Sequence, residues 1–152
     1  MTSKAENAYT ALFTLLQSVT GLATINGVPA VSRTLTDPTQ MAWENTPAIF
    51  MNETGEHIAP SKGFEGLRAR QMLMCDLYLY VYNGGVGGAC STLMNNMLEN
   101  IRAAIAPATG YPFQTLNETV SHCWVSGKIE IIEGVLNGQG VAIVPVEILT
   151  NY

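Results

Sequence analysis

The alternating run from Leu67 to Tyr82 constrains the fold more than any other part of this chain. Its odd positions are apolar except at Gln71, the pattern of an extended chain with one side buried. Tyrosine and methionine on the other side bury area while the phenol keeps a polar group. We therefore predict one long β-strand with a core face and a second face suited to a protein partner. The residues of that second face are Arg68, Arg70, Met72, Met74, Asp76, Tyr78, Tyr80 and Tyr82.

The predicted strand is longer than a small domain requires. At about 3.3 Å per residue the run would span about 50 Å, whereas most strands have roughly 5 to 6 residues. Three glycines and a proline lie between residues 53 and 66. We therefore predict a projecting hairpin or loop arm at about residues 53–72. Three basic residues lie in or beside it, and they form either a contact patch or a solvated tip: Lys62, Arg68 and Arg70.

Composition favours an assembled protein of one domain spanning residues 1–152. Hydrophobic residues make up 47% of the chain and charged residues 12%, about half the usual charged share. Little charged surface is therefore available to a lone subunit. The net charge of -5 argues against a nucleic-acid grip, because phosphate binding needs clustered Lys and Arg.

Two amphipathic helices are predicted. Ser3 and Glu6 form a capping box, in which each residue bonds the backbone of the other, and an apolar stripe follows until Gly21. The second helix runs from about Ser91 to Ala106 and is stopped by Pro107.

The remaining periodic segments are predicted strands. Residues 22–30, between the first helix and the first of these strands, are predicted to be a turn-rich connection. Pro145 lacks a backbone donor, so we expect its strand to be an edge strand or to contain a bulge. The strands besides the long one are Val31–Leu35, Pro47–Met51, Val120–Val125, Lys128–Glu133 and Val141–Leu149.

This order of elements predicts an α+β domain. Two helices pack on one face of a mostly antiparallel or mixed sheet of about six strands, with the arm projecting from it. The opposite face, which holds Tyr78 and Tyr80, is expected to lack cover from its own chain.

No catalytic or cofactor site is predicted. Gly85-Val86-Gly87 begins a dinucleotide fingerprint after a strand, but Cys90 stands where the third glycine belongs. His122 and Cys123 are adjacent on a strand, so their side chains point to opposite faces and cannot act together.

A metal site and structural disulfides are also not expected. The histidines His57 and His122 and the three cysteines show no ligand spacing. The odd cysteine count without a signal peptide favours reduced, buried thiols in a protein made inside the cell. No apolar run approaches the ~18 residues of a membrane span, so we expect a soluble protein with no membrane partner.

Several stretches of the chain resemble the tail terminator (tail completion) proteins of long-tailed bacteriophages. The similarity covers nearly the whole chain and consists of strand and helix patterns. The matching stretches are Ala11–Leu16, Pro47–Phe50, Leu77–Val81, Gln114–Leu116, Val120–Gly127 and Gly140–Val146.

The resemblance implies a structural virion protein located in the tail or neck and assembled in the host cytoplasm. It would form a homo-oligomeric ring, six-fold in known relatives and so a hexameric ring here, that caps the tail tube, stops its elongation and joins the tail to the head. Its partners would be further copies of itself, the tail-tube protein and the head-neck connector protein. Genome DNA would pass through the lumen without specific binding.

Other classes fit parts of the same pattern. A head-tail connector or a tail-tube subunit would share the ring and the β-arm. A lone binding adaptor would not form rings. An enzyme would need a pocket with converging polar groups. We predict no enzyme, and we expect subunit contacts to be made by the arm and the Tyr/Met face. The predicted contact residues are Lys62, Arg68, Arg70, Met72, Met74, Tyr78 and Tyr80.

Overall fold

Two α-helices and eight β-strands make up the computed structural model, which describes residues 1–37, 40–59, 70–83, 90–136 and 138–150, with only the backbone for 133–136. The helices are α1 (Lys4–Leu16) and α2 (Cys90–Ile105), and a 3₁₀ turn spans Trp43–Asn45. The strands are β1 (Thr24–Ile25), β2 (Val28–Pro29), β3 (Val31–Ser32), β4 (Ala48–Ala59), β5 (Arg70–Tyr82), β6 (His122–Val125), β7 (Glu130–Leu136) and β8 (Gln139–Leu149).

Six of the strands form one sheet, in which β3, β4, β5 and β8 follow one another. The far side of β8 is shared by β6 and β7. β3 is parallel to β4, through the pair Val31 and Ile49, and the other pairings are antiparallel. The predicted α+β class with a mixed sheet of about six strands is confirmed.

The core lies between the helices and the sheet side formed by the odd positions of β5 and the even positions of β8. Each of these side chains is at most 2% exposed from Leu73 to Val81 on β5 and from Ala142 to Ile148 on β8. The helices cover them with Leu12, Leu16 and Ile101, all fully buried. Burying one such side chain contributes about 1.5–3 kcal/mol, so this layer is the main source of stability.

Helix α1 begins as predicted and ends earlier. The backbone N–H of Glu6 donates to Ser3 Oγ over 3.1 Å, which is one half of the capping box. The Glu6 carboxylate does not return to the cap, because it accepts from Arg33 instead. The helix ends at Leu16 and not at Gly21, since Ser18 Oγ donates to the carbonyl of Leu15 over 2.6 Å and begins a tighter turn.

Residues 22–30 contain a short hairpin in place of the predicted connection. β1 and β2 pair through Ile25 and Val28. Asn26 and Gly27 both have positive φ, at 52° and 78°, the geometry of a type I′ turn. The Asn-Gly dipeptide carried this signal in the sequence.

The expectation that Pro145 places its strand at an edge or in a bulge was wrong, since the strand is internal and its register against β5 has no shift. β8 lies between β5 and the β6/β7 pair, and Asp76 faces Pro145 across the β5 ladder. The carbonyl of Pro145 accepts from the Ser126 N–H over 2.8 Å, so it points away from β5. In an antiparallel strand the N and the C=O of one residue face the same neighbour. The side of Pro145 that lacks an N–H therefore faces the gap between β6 and β7, where β8 has no strand to bond among the described residues.

The predicted arm is only partly described. β4 continues well beyond the predicted Pro47–Met51 and pairs with β5 as far as Ala59 and Arg70, with a bulge between Glu53 and Gly55. From Met72 onward β5 also pairs with β8, so this end of the predicted arm belongs to the sheet. Lys62, Arg68 and the first residues of the predicted long strand lie in 60–69, outside the described residues.

The phenol of Tyr9 on α1 reaches the sheet beside this bulge. Tyr9 is 5% exposed, and its hydroxyl donates to the carbonyl oxygen of Met74 over 3.2 Å. Burial raises the pKa of Tyr9 to about 12. The hydrogen bond thus joins the first helix to the irregular part of the β4–β5 ladder.

Replacing Tyr9 by Phe should lower the free energy of unfolding by about 1 kcal/mol, because the partly buried Met74 carbonyl loses this hydrogen bond while the ring remains. Urea denaturation measures the change. Tyr111→Phe is the control, since Tyr111 is 71% exposed. Equal stabilities of Tyr9→Phe and the unmodified protein would show that the bond contributes nothing.

Candidate interaction surface

The sheet side opposite the helices is a broad surface of half-buried and exposed side chains, which we call the open face. Its members alternate with the core residues along four strands, because neighbouring strand residues point to opposite sides. The open face comprises Met72, Met74, Asp76 and Tyr78 on β5, Ile143, Pro145, Glu147 and Leu149 on β8, His122 and Trp124 on β6, and Glu130 and Ile132 on β7.

One end of this side is covered by the chain itself. Tyr80 is 5% exposed, and its hydroxyl donates to the carbonyl of Thr36 over 2.9 Å. The Phe50 ring lies 4.9 Å from the Tyr80 ring, and the Trp43 ring 6.5 Å from that of Tyr82. The expectation of an uncovered face was therefore wrong at Tyr80. The polar loop around Trp43 gave little sign that it folds over the sheet.

The structure brings together three of the predicted contact residues. Met72, Met74 and Tyr78 lie on the open face, half-buried and adjacent along one strand. Arg70 lies exposed at the start of β5, on the same side of the sheet. Lys62 and Arg68 lie outside the described residues.

Sequence analysis missed the part of the open face that β8 and β6 contribute. Met74 faces Glu147, and Glu147 faces Trp124 on the next strand. Ile143 and Leu149 extend the apolar area on either side. The alternation of β8 carried this signal, but its register against β5 was needed to read it.

Three acidic side chains lie on the open face. Asp76, Glu130 and Glu147 lie on three different strands, and among the described residues none of them has an ion pair. Burial raises the pKa of Asp76, and the nearby Glu130 carboxylate raises it further. An anionic, largely apolar surface of this kind favours a partner that brings a positive charge.

His122 is a packed aromatic residue. Its ring stacks on Trp124 at 4.8 Å and meets the edge of Phe113 at 5.2 Å. Its Nδ1 accepts from the backbone N–H of Gln114 over 3.1 Å. These contacts occupy the ring in packing, and Cys123 points to the opposite side of the sheet, into the core.

The three cysteines are buried, and none of them forms a disulfide. Burial raises the pKa of the Cys75 thiol to about 12 and that of the Cys123 thiol to about 12. A thiol in this state is neutral at physiological pH and is a poor nucleophile. The geometry therefore gives these two cysteines a packing role.

The described ranges contain neither a cluster of metal-ligand side chains nor a membrane-spanning helix. There, no group of three or more His, Cys, Asp or Glu side chains is placed to hold a metal ion. No helix in the same ranges is long and apolar enough to cross a bilayer. The glycine run compared with a dinucleotide fingerprint, Gly85 to Gly87, lies outside the described residues.

No protein-family model and no curated protein sequence matches this chain.

The buried thiols lead to a test by chemical labelling. Cys75 and Cys123 should remain unmodified by iodoacetamide at pH 8 in the folded protein. Both should react fully once about 8 M urea has unfolded the chain. Peptide mass spectrometry reports each site separately. Rapid alkylation of Cys123 in the folded protein would contradict the packing role.

Proposed function

We propose that this chain is a structural subunit of a bacteriophage tail, a tail terminator that forms a ring on the tail tube, stops its elongation and joins the tail to the head. It acts by assembly and not by catalysis. The observation that carries the proposal is the open face, an apolar sheet surface that the described residues leave uncovered in a chain with little charge.

The extent of the open face supports assembly. Ile132 is 55% exposed and lies opposite the half-buried Val141 on β8. The half-buried pair Ile143 and Tyr78 lies next to Val141 on the same side of the sheet. Contiguous apolar patches beyond a few hundred Å² are rare on soluble monomers and usually mark interaction sites. Burial of such a surface against another protein stabilises the complex by ~25 cal/mol per Å².

The charge distribution supports a protein that lets DNA pass without gripping it. The chain carries a net charge of -5, so a ring built from copies of it is anionic. Carboxylates repel phosphates, whereas a DNA-gripping surface carries clustered Lys and Arg.

Two features support a non-catalytic role. The cysteine thiols with raised pKa are buried in the core, and His122 is engaged in stacking and in a backbone hydrogen bond. Nucleophilic catalysis needs a nucleophile and a base within hydrogen-bond reach. His122 and Cys123 lie on opposite sides of the sheet and do not meet this requirement.

Electron microscopy tests the proposal directly. Negative-stain images of the purified protein should show closed rings, and addition of the tail-tube protein should give short tubes capped at one end. Rings that stack into tubes by themselves would favour a tail-tube subunit. Rings that leave tube elongation unchanged would favour a head-tail connector, and monomers would contradict the ring proposal.

The open face itself is tested by Ile143→Glu, which adds a charge at its centre. The variant should remain folded by circular dichroism and lose the ability to cap tubes, because a buried carboxylate without a partner is strongly unfavourable. Val28→Glu is the matched control, since Val28 is 52% exposed on the separate β1–β2 hairpin. Full capping activity of Ile143→Glu would show that the open face is not the contact surface.

Duplex DNA binding gives an independent prediction. The acidic protein should show no measurable affinity at physiological salt in fluorescence anisotropy. Sub-micromolar binding that weakens with salt would favour a DNA-gripping connector over a terminator.

A further inference from the structure

The six-stranded sheet has one free edge on each side. β4 pairs with β5 along its whole length, but β3 covers its outer side only at Ile49 and Phe50. Residues 52–59 therefore have no strand on their outer side among the described residues. On the other side of the sheet, β7 pairs with β8 alone within the described ranges. Exposed edges of this kind are templates for pairing with another chain.

Both free edges expose an isoleucine on the same side of the sheet. Ile58 on β4 is 54% exposed and Ile131 on β7 is 48% exposed. Ile58 lies beside Gln71 and Ile131 beside Ala142, two residues of the helix-covered side. An apolar side chain on an open edge gains from burial against a similar one.

The two edges run in opposite directions. β4 is antiparallel to β5, β5 to β8, and β8 to β7. A second copy turned about an axis along the strands therefore brings its β4 antiparallel to β7 of the first copy, with its helices on the same side of the joined sheet. Antiparallel pairing gives the more stable ladder per residue.

We propose that β4 of one copy adds to β7 of the next copy, with Ile58 opposite Ile131. This inference rests on the proposed ring, and it names the contact that joins its subunits. The contact is heterologous, since each copy offers one edge and accepts the other, and such contacts form rings when the rotation closes.

The same register brings opposite charges together on the open face. Ala59 then lies opposite Glu130 of the neighbouring copy, and within its own copy Ala59 pairs with Arg70. Arg70 and Glu130 are two strands apart, about 10 Å between their backbones, with only the alanine methyl group between them. Both side chains are exposed and have no ion pair among the described residues. They are long enough to meet above Ala59.

The register also fixes the displacement between neighbouring copies. Ile58 pairs with Gln71 on β5. Ile131 pairs with Ala142 on β8, which in turn pairs with Leu79 on β5. Gln71 and Leu79 are eight residues apart along β5, or about 26 Å, and neighbouring copies are displaced by that distance along the strands. In a closed ring such a stagger appears as a tilt of the strands against the ring axis, which closed sheets require.

Two blocking variants test the contact. Ile58→Lys places a charge on the β4 edge and Ile131→Lys on the β7 edge, and each should give monomers by light scattering while circular dichroism shows an unchanged fold. Mixed together, they retain one intact pair of edges and should form dimers of twice the 16.4 kDa chain mass. Ile25→Lys is the control, because Ile25 is 42% exposed on β1, and it should keep the oligomer intact.

Each other outcome overturns the inference. Oligomers of unchanged mass from either blocking variant, or a mixture that stays monomeric, would exclude the β4–β7 contact. Dissociation by Ile25→Lys as well would show that the effect is not specific to the edges. If the unmodified protein assembles but does not stop tube elongation, the proposed function fails while the edge contact is still decided by these masses.

A charge exchange tests the register. Arg70→Glu and Glu130→Arg should each weaken the oligomer at least tenfold in midpoint concentration, and the double variant should restore most of the loss. Recovery of assembly in the double variant indicates a direct charge pair, because two substitutions that each damaged the fold would not compensate each other. Failure of the double variant to recover would contradict the register with Ile58 opposite Ile131.

Discussion

The pairing of β5 with β8 determines the organisation of this protein. The ladder runs from Met72 and Leu149 to Tyr82 and Gln139 without a register shift. Because side chains alternate along each strand, this one register assigns every residue of both strands either to the core or to the open face. A slip by one residue would place Asp76 in the core and Leu77 outside. The helices, the bulge and the covering loop all depend on this assignment.

As a consequence, helices cover only one side of the sheet. Its helix-covered side has a dense core, whereas the open face keeps half-buried apolar side chains and three carboxylates. The free edges of β4 and β7 leave backbone donors and acceptors without a described strand partner. A single copy satisfies neither feature, and the proposed assembly accounts for both: the edges join copies, and the open face contacts a further protein. The low share of charged residues, 12%, fits a chain that works within an assembly.

Local patterns predicted the elements, and long-range pairing decided the rest. The alternation around Leu77 identified β5 and its two faces, and Ser3 marked the start of α1. The edge or bulge predicted from Pro145 was wrong because the missing N–H matters only on the side where a neighbouring strand lies. The sequence of one strand does not reveal which strands flank it. The cover over Tyr80 comes from a loop far away in sequence. The edge contact through Ile58 was likewise beyond prediction, since it depends on where each strand stops.

Hydrogen exchange on the assembled and dissociated protein tests the central claim that copies join through their sheet edges. Dilution below the assembly midpoint should speed exchange at the backbone amides of residues 53–59 and of 130–132, while the amides of α1 and α2 keep their protection. Equal exchange at both edges in the two states, with changed protection on the helices instead, would contradict this account.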